Sequence, residues 1–202
     1  MGSLRNGRSH RTIWPQELNV FMNTENERPV DEQELPPEVT GMPQPLTVAN
    51  ALDVSRININ LTANDKDGVL RELSALVIDP HEERLFDTFL QALKAREDMC
   101  PTCITEGVAI PHSRNALVGL VDHPVVAYGR HKKGIDFGAL DGKPVRHFFL
   151  LCAPNVREHL QLLARLARLV GNYKFRAQLT AVKQPDQVIA LIREAEAHIA
   201  GS

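Results

Sequence analysis

No stretch of the 202 residues holds an apolar run long enough to cross a bilayer. The start, Met1-Gly2-Ser3-Leu4-Arg5-Asn6, also lacks the apolar core of a secretory signal. Together these absences predict a cytoplasmic protein that does not insert into a membrane. Clustered Lys/Arg is missing too: 23 basic residues stand against 25 acidic ones, for a formal net charge of −2. Nucleic-acid binding therefore has no electrostatic support. Cysteine is scarce, with three in all, an odd number that fits a reducing compartment. Two of them form Cys100-Pro101-Thr102-Cys103. A zinc site would need a second pair of ligands, and the remaining thiol, Cys152, sits in an apolar run that reads as a buried strand. A thioredoxin-type pair opens a helix after a strand, whereas this one follows a predicted helix and precedes a predicted strand. Neither a metal nor another cofactor is expected.

What the chain does contain is an ordinary globular composition, 43% apolar and 24% charged, enough for one well-filled domain with a tail. Residues 1–45 carry Arg5, Arg8 and Arg11, then an acidic run from Glu25 to Pro45 bearing Pro29, Pro36, Pro37, Pro43 and Pro45. Such a segment buries too little apolar surface to offset its ordering entropy, and it reads as a flexible tail or linker. Trp14, Leu18, Val20, Phe21 and Met22 form its one apolar patch.

From residue 46 to 202 the pattern is that of a single α/β domain, a sheet with helices packed on both faces. Ile57 to Leu61 alternates like a strand. Asn64 can cap a helix facing inward through Val69, Leu70, Leu73 and Leu76. A second helix is predicted from about His81 to Arg96, with Leu85, Phe86, Phe89, Leu90 and Leu93 inside. Val125–Tyr128 and Val145–Cys152 read as strands, the latter an unbroken run suited to the centre of a sheet. Asp136 and Asp141 bracket a Gly-rich turn and are expected to shape it rather than take part in chemistry. After Pro154, Asn155 can cap a helix with Glu158 three residues on, a capping box that puts His159 in the first turn.

The most informative segment is Glu106-Gly107-Val108-Ala109-Ile110-Pro111-His112. It brings an imidazole to the end of a short apolar strand, and Pro111 restricts both its own φ and the conformation of Ile110. A histidine aimed in this way can act as a nucleophile near neutral pH. Arg96 has a structural reason to close a helix, since a cation there complements the helix dipole, but its guanidinium can also clamp phosphate oxygens. His159 shares a helix face with Leu162, Leu163 and Leu166, so it is either a core histidine tied to a carbonyl or a group turned into a site. His10, His81, His123, His131, His147 and His198 lack such context and read as surface or incidental.

With these residues in view the chain resembles the enzyme IIA domains of the mannitol/fructose class of the phosphoenolpyruvate-dependent phosphotransferase system (PTS EIIA type-2), including nitrogen-regulatory-type IIA proteins. The resemblance runs through Arg96-Glu97 with Thr102, Gly107 to His112, Gly134-Ile135-Asp136-Phe137, Asp141 to Val145, Leu150 to Pro154 and the helix opening at His159. It covers roughly residues 46 to 200. It implies a mixed β-sheet with helices on both faces, and a phosphoryl group carried on His112 with Arg96 and His159 lining the site. It further implies the phosphocarrier HPr, or an HPr-like domain, as donor. The acceptor would be the cysteine of an enzyme IIB, or regulation of a partner protein would replace sugar transfer. No metal is needed in this family. Cys100 and Cys103 depart from the small residues usual at their positions, which would make phosphorylation sensitive to oxidation.

Overall fold

The computed structural model describes residues 45–105, 107–113 and 121–200. The expected tail, apart from Pro45, and the patch from Trp14 to Met22 lie outside the described residues. In chain order the elements are α1 (Val48–Ala51), β1 (Leu52–Asn58), α2 (Lys66–Ser74), α3 (Glu83–Met99), β2 (Cys103–Thr105), β3 (Val108–Ala109), β4 (Val125–Ile135), β5 (Val145–Cys152), α4 (Val156–Gly171), α5 (Tyr173–Ala181) and α6 (Pro185–Ala200).

β5 is apolar on both sides and can be stable only where both sides are covered. It occupies the middle of a five-stranded mixed sheet of order β1-β4-β5-β3-β2, antiparallel to β4 and parallel to β3. Its side chains alternate between two cores. Phe149 and Leu151 pack with α1, α4, α5 and α6 on one face. Phe148, Leu150 and Cys152 pack with α2 and α3 on the other. The expectation of helices on both faces holds.

Several local expectations shift. Asp65 rather than Asn64 caps α2, accepting the Gly68 N–H at 2.7 Å, and the helix ends at Ser74 so that Leu76 lies beyond it. Both residues have cap chemistry, and packing of Val69, Leu70 and Leu73 selects the later one. α3 starts and ends later than predicted, and Leu85 is 38% exposed rather than buried. β1 begins at Leu52, earlier than the alternation suggested; it is an edge strand with an irregular register, and Leu61 beyond it still donates to the Arg130 carbonyl at 2.9 Å. β4 continues well past Tyr128 through the charged stretch Arg130–Lys133, with a register break before Ile135. Within it Gly129 is closely approached: a Cβ there would lie 2.6 Å from Leu61 Cδ1 and 2.8 Å from Leu73 Cδ2, so both leucine side chains would have to shift.

Asp136 and Asp141 shape the β4–β5 connection as expected, accepting the Gly138 and Lys143 N–H groups at 3.1 Å each. Glu196 of α6 is buried and accepts the N–H groups of Val48 and Ala49 at 2.9 and 3.0 Å, so the last helix caps the first. Among the described residues no helix is long and apolar enough to cross a membrane.

Candidate functional site

Beyond β3 the chain continues alongside β5. The Leu151 N–H donates to the Pro111 carbonyl at 3.0 Å, and His112 pairs with Leu151 in an isolated parallel bridge. Proline's fixed geometry and this bridge leave the His112 backbone little freedom. The ring is fixed as well: Nδ1 lies 2.7 Å from the carbonyl oxygen of Ile110. A carbonyl can only accept, so Nδ1 carries the proton and Nε2 keeps its lone pair. Burial lowers the pKa of His112, the Ile110 carbonyl opposes that shift, and the positive charge of Arg96 adds to it. The balance lies below the usual histidine value, so the ring is neutral at pH 7 and its Nε2 is nucleophilic.

His159 reaches the same place from the far side. Asn155 caps α4, its Oδ1 accepting the Glu158 N–H at 3.0 Å, while its Nδ2 donates to Glu158 Oε2 at 2.8 Å. The reciprocal contact of the capping box thus forms between side chains rather than to the Asn155 main chain. The His159 N–H makes the first intrahelical bond, to the Asn155 carbonyl at 3.1 Å. Its ring is buried and makes no hydrogen bond to a main-chain carbonyl among the described residues. It stands 5.2 Å from the ring of His112, centroid to centroid, tilted by 55°. Burial, and then the neighbouring His112, lower its pKa, since two adjacent imidazoles resist both being charged.

Arg96 sits in the last turn of α3, where Nη1 donates to the Cys100 carbonyl at 2.8 Å. It therefore does close its helix, and its charge also reaches His112. Its neighbour Glu97 is buried and accepts from Thr102 twice, from the main-chain N–H at 2.8 Å and from the hydroxyl at 2.7 Å. Burial raises the Glu97 pKa against these two bonds. The Thr102 carbonyl in turn accepts the Ile110 N–H at 3.0 Å. A continuous hydrogen-bonded path thus runs from the end of α3 through Thr102 and Ile110 to the ring of His112.

The cysteine pair follows a helix and precedes a strand, as the sequence indicated. Cys103 is half-buried, and burial together with the charges of Glu97, Asp141 and Asp136 pushes its thiol up to about 11, away from the reactive thiolate. Cys152 is buried and its thiol is pushed up to about 12. Among the described residues no three His, Cys, Asp or Glu side chains are grouped to hold a metal ion.

The reading of His147 as incidental is corrected by the structure. It is 4% exposed, and its Nδ1 lies 2.8 Å from the Tyr128 hydroxyl and its Nε2 3.1 Å from Thr180 Oγ1. The Thr180 hydroxyl donates onward to the Arg176 carbonyl at 3.0 Å, so His147 donates through Nε2 and accepts from Tyr128 at Nδ1. Burial and the surrounding arginines push its pKa down to about 4. Its position inside the apolar run Val145–Cys152 was the signal available in the sequence.

Two neutral imidazoles that meet where a strand end faces a helix N-terminus, one of them within reach of the Arg96 charge, make an arrangement suited to carrying a phosphoryl group. The family follows from comparison: residues 50–195 match "Phosphoenolpyruvate-dependent sugar phosphotransferase system, EIIA 2", and the chain belongs to that family. It is 29% identical, over 74% of its length, to the PTS system fructose-specific EIIABC component of Bacillus subtilis (strain 168), of which the match spans 23%. It is similar to the crystal structure of nitrogen regulatory protein IIA-Ntr from Neisseria meningitidis, with TM-score 0.64 and 31% identity, covering 72% of this chain and 98% of that one. Its fold is also like that of the mannitol enzyme IIA of Escherichia coli, solved in complex with phosphorylated enzyme IIB, with TM-score 0.59 and 20% identity over 70% of this chain and 96% of that chain.

Proposed function

We propose that the protein is a phosphotransferase of the sugar phosphotransferase system that carries a phosphoryl group on Nε2 of His112. The observation that carries this reading is the bond from Nδ1 to the Ile110 carbonyl, which leaves Nε2 of an aimed, neutral ring without a partner among the described residues. The donor is a phosphohistidine of HPr or of an HPr-like domain. The Nε2 lone pair attacks phosphorus as the donor's P–N bond breaks and its electron pair returns to the donor imidazole. Charge spreads over three equatorial oxygens in this transfer. Arg96 and the positive end of α4 stabilise it, and His159 hydrogen-bonds a phosphoryl oxygen.

In the second transfer the thiolate of an enzyme IIB cysteine attacks the same phosphorus, forming P–S as the bond to His112 breaks. The complex of a mannitol IIA of similar fold with phosphorylated IIB supports this acceptor. These steps take place in the cytoplasm. A regulatory reading keeps the site and changes the purpose, and the 31% identity to IIA-Ntr supports it as well as similar identities support sugar transfer. There the phosphorylation state of His112 would set binding to a target protein.

Incubation of the full chain with phospho-HPr, followed by phosphorus NMR and alkaline peptide mapping, tests the proposal. The expected product is a base-stable phosphoryl group on Nε2 of His112. Its appearance on His159, or on Nδ1 of His112, would overturn the assignment. Onward transfer to a IIB domain separates sugar transport from regulation.

A further inference from the structure

The end of the sheet opposite His112 holds a second concentration of charged groups that phosphoryl transfer does not use. His147 pairs with Arg130 of β4 and Val108 of β3, four residues before Leu151, the strand partner of His112. That separation along β5 is about 13 Å. Two adjoining clefts of about 320 and 310 Å³ open here and share Arg146, His147 and Thr180 as a common wall. One adds Lys143 and Arg176, the other Arg130, His131 and Lys132. Among the described residues neither lining contains a carboxylate, although acidic residues outnumber basic ones in the chain as a whole.

The walls are rigid. Arg130 is pinned by Nε to the Ile59 carbonyl at 3.2 Å and by Nη1 to the carbonyls of Leu179, Thr180 and Val182 at 3.2, 3.1 and 2.7 Å. Its charge thereby offsets the negative end of α5. Arg176 is held through Nη1 by the carbonyls of Val170 and Gly171 at 2.7 and 3.1 Å. His147 is fixed on both ring nitrogens and is neutral, so it serves as wall rather than charge. Lys143 is partly balanced by Asp141 at 3.9 Å.

Arg146 and Lys132 are different. Both are exposed, and among the described residues neither has an acidic partner. Arg146 stands on the wall common to both clefts, and among the described residues its guanidinium makes no hydrogen bond or ion pair. In the cleft that Lys132 lines, Nδ1 of His131 is buried with no hydrogen-bond partner among the described residues, the kind of unmet polar atom that a bound group satisfies.

We propose that this region is a binding site for a small phosphorylated anion, its phosphate gripped by the Arg146 guanidinium and flanked by Lys132 and Arg176. A planar guanidinium with further cations beside it matches the charge and geometry of a phosphate dianion better than that of a single carboxylate. The cleft volumes fit a metabolite of about the size of a sugar phosphate. Among the described residues no Phe, Tyr or Trp lines either cleft, so they offer no stacking platform of the kind a single-stranded nucleic-acid site uses.

Titration of the isotope-labelled full chain with inorganic phosphate, a hexose bisphosphate or citrate, followed by amide and histidine-ring NMR, tests the site. The bisphosphate should give saturable shifts at Arg146, His147 and Thr180 and at the His131 ring, with the same affinity in His112→Ala. Arg146→Ala should weaken binding by about tenfold or more, the loss of one charge-assisted contact, and Lys132→Ala by less. An unaltered amide spectrum elsewhere establishes that each variant is folded. Absence of saturation, unchanged affinity in Arg146→Ala, or loss of the response in His112→Ala would overturn the proposal. Equal affinity for citrate would overturn the assignment to phosphate.

Discussion

His112 and His147 lie at opposite ends of one sheet, and burial lowers the pKa of both, yet their rings are prepared for different tasks. His147 has a partner on each nitrogen, Tyr128 and Thr180, and so joins β4, β5 and α5. Among the described residues His112 has a partner on one nitrogen only, the Ile110 carbonyl, and its ring faces a second imidazole. A depressed pKa therefore does not by itself mark a reactive histidine. What distinguishes the two is the lone pair left unpaired once the fold has placed its hydrogen bonds.

The comparison is broken most completely by truncating each ring. His112→Ala should abolish phosphate uptake from phospho-HPr with little change in thermal stability. His147→Ala should take up phosphate at His112 but lose stability, because it leaves the buried Tyr128 hydroxyl without its acceptor. Parallel phosphorylation and melting assays check both, and phosphorylation surviving in His112→Ala would falsify the assignment.

Next in size is Arg96→Lys, which keeps the charge felt by His112 and loses the planar fork. Transfer should slow by about one to three orders of magnitude, corresponding to roughly 1.4 to 4 kcal/mol in the transition state. Stopped-flow kinetics that match the wild type would leave Arg96 only its contact with Cys100.

A pH series sharpens the contrast further. The folded-state pKa of His147 is about 4, below its ordinary value of 6.5, so its neutral form favours folding. That stability is fully present above about pH 6.5 and is lost as pH falls through the folded value. The loss is on the order of 3 kcal/mol, since each tenfold change in proton affinity between the folded and unfolded states is worth about 1.4 kcal/mol. Urea unfolding between pH 7 and pH 4 should show this slope in the wild type and a flatter one in His147→Gln; equal slopes would remove His147 as its source.

The smallest effect belongs to Thr102→Val, which keeps shape and removes the hydroxyl from Glu97 Oε2. It should cost about 1–3 kcal/mol for the buried carboxyl oxygen left without its donor. The Glu97 pKa is already raised by burial, and losing this bond raises it further. The folded state is therefore disfavoured most where the carboxyl is ionised, so the deficit should be largest at neutral pH and shrink as pH falls toward the carboxylate range. Chemical denaturation at two pH values measures it, and a deficit independent of pH would assign the loss to packing.

Features governed by neighbours in sequence were legible before the structure. β5 announced itself because the apolar run from Phe148 to Cys152 has few other places to go. The turn chemistry of Asp136 and Asp141 and the cap at Asn155 are local hydrogen bonds, and the strand–proline arrangement around His112 is local stereochemistry. The misread features depend on distant partners. The extension of β4 through Arg130–Lys133 was hidden because Arg130 finds its acceptors on α5 and beside β1. His147 looked incidental because Tyr128 and Thr180 lie 19 and 33 residues away. The path from Glu97 through Thr102 to Ile110 was likewise invisible, although all three residues lie in segments that carried the family resemblance.

The clamp of Glu196 on Val48 and Ala49 has a consequence for where this domain can be cut. The bonds join residues 148 and 147 positions apart, and both ends fall just outside residues 50–195, the span that defines family membership. A fragment trimmed to that span would retain Arg96, His112 and His159 and all five strands. It would also expose the lead into β1 and release the C-terminal end of α6. Val48, Ala49 and Glu196 therefore belong to the packed domain although they lie outside the span by which its family is recognised.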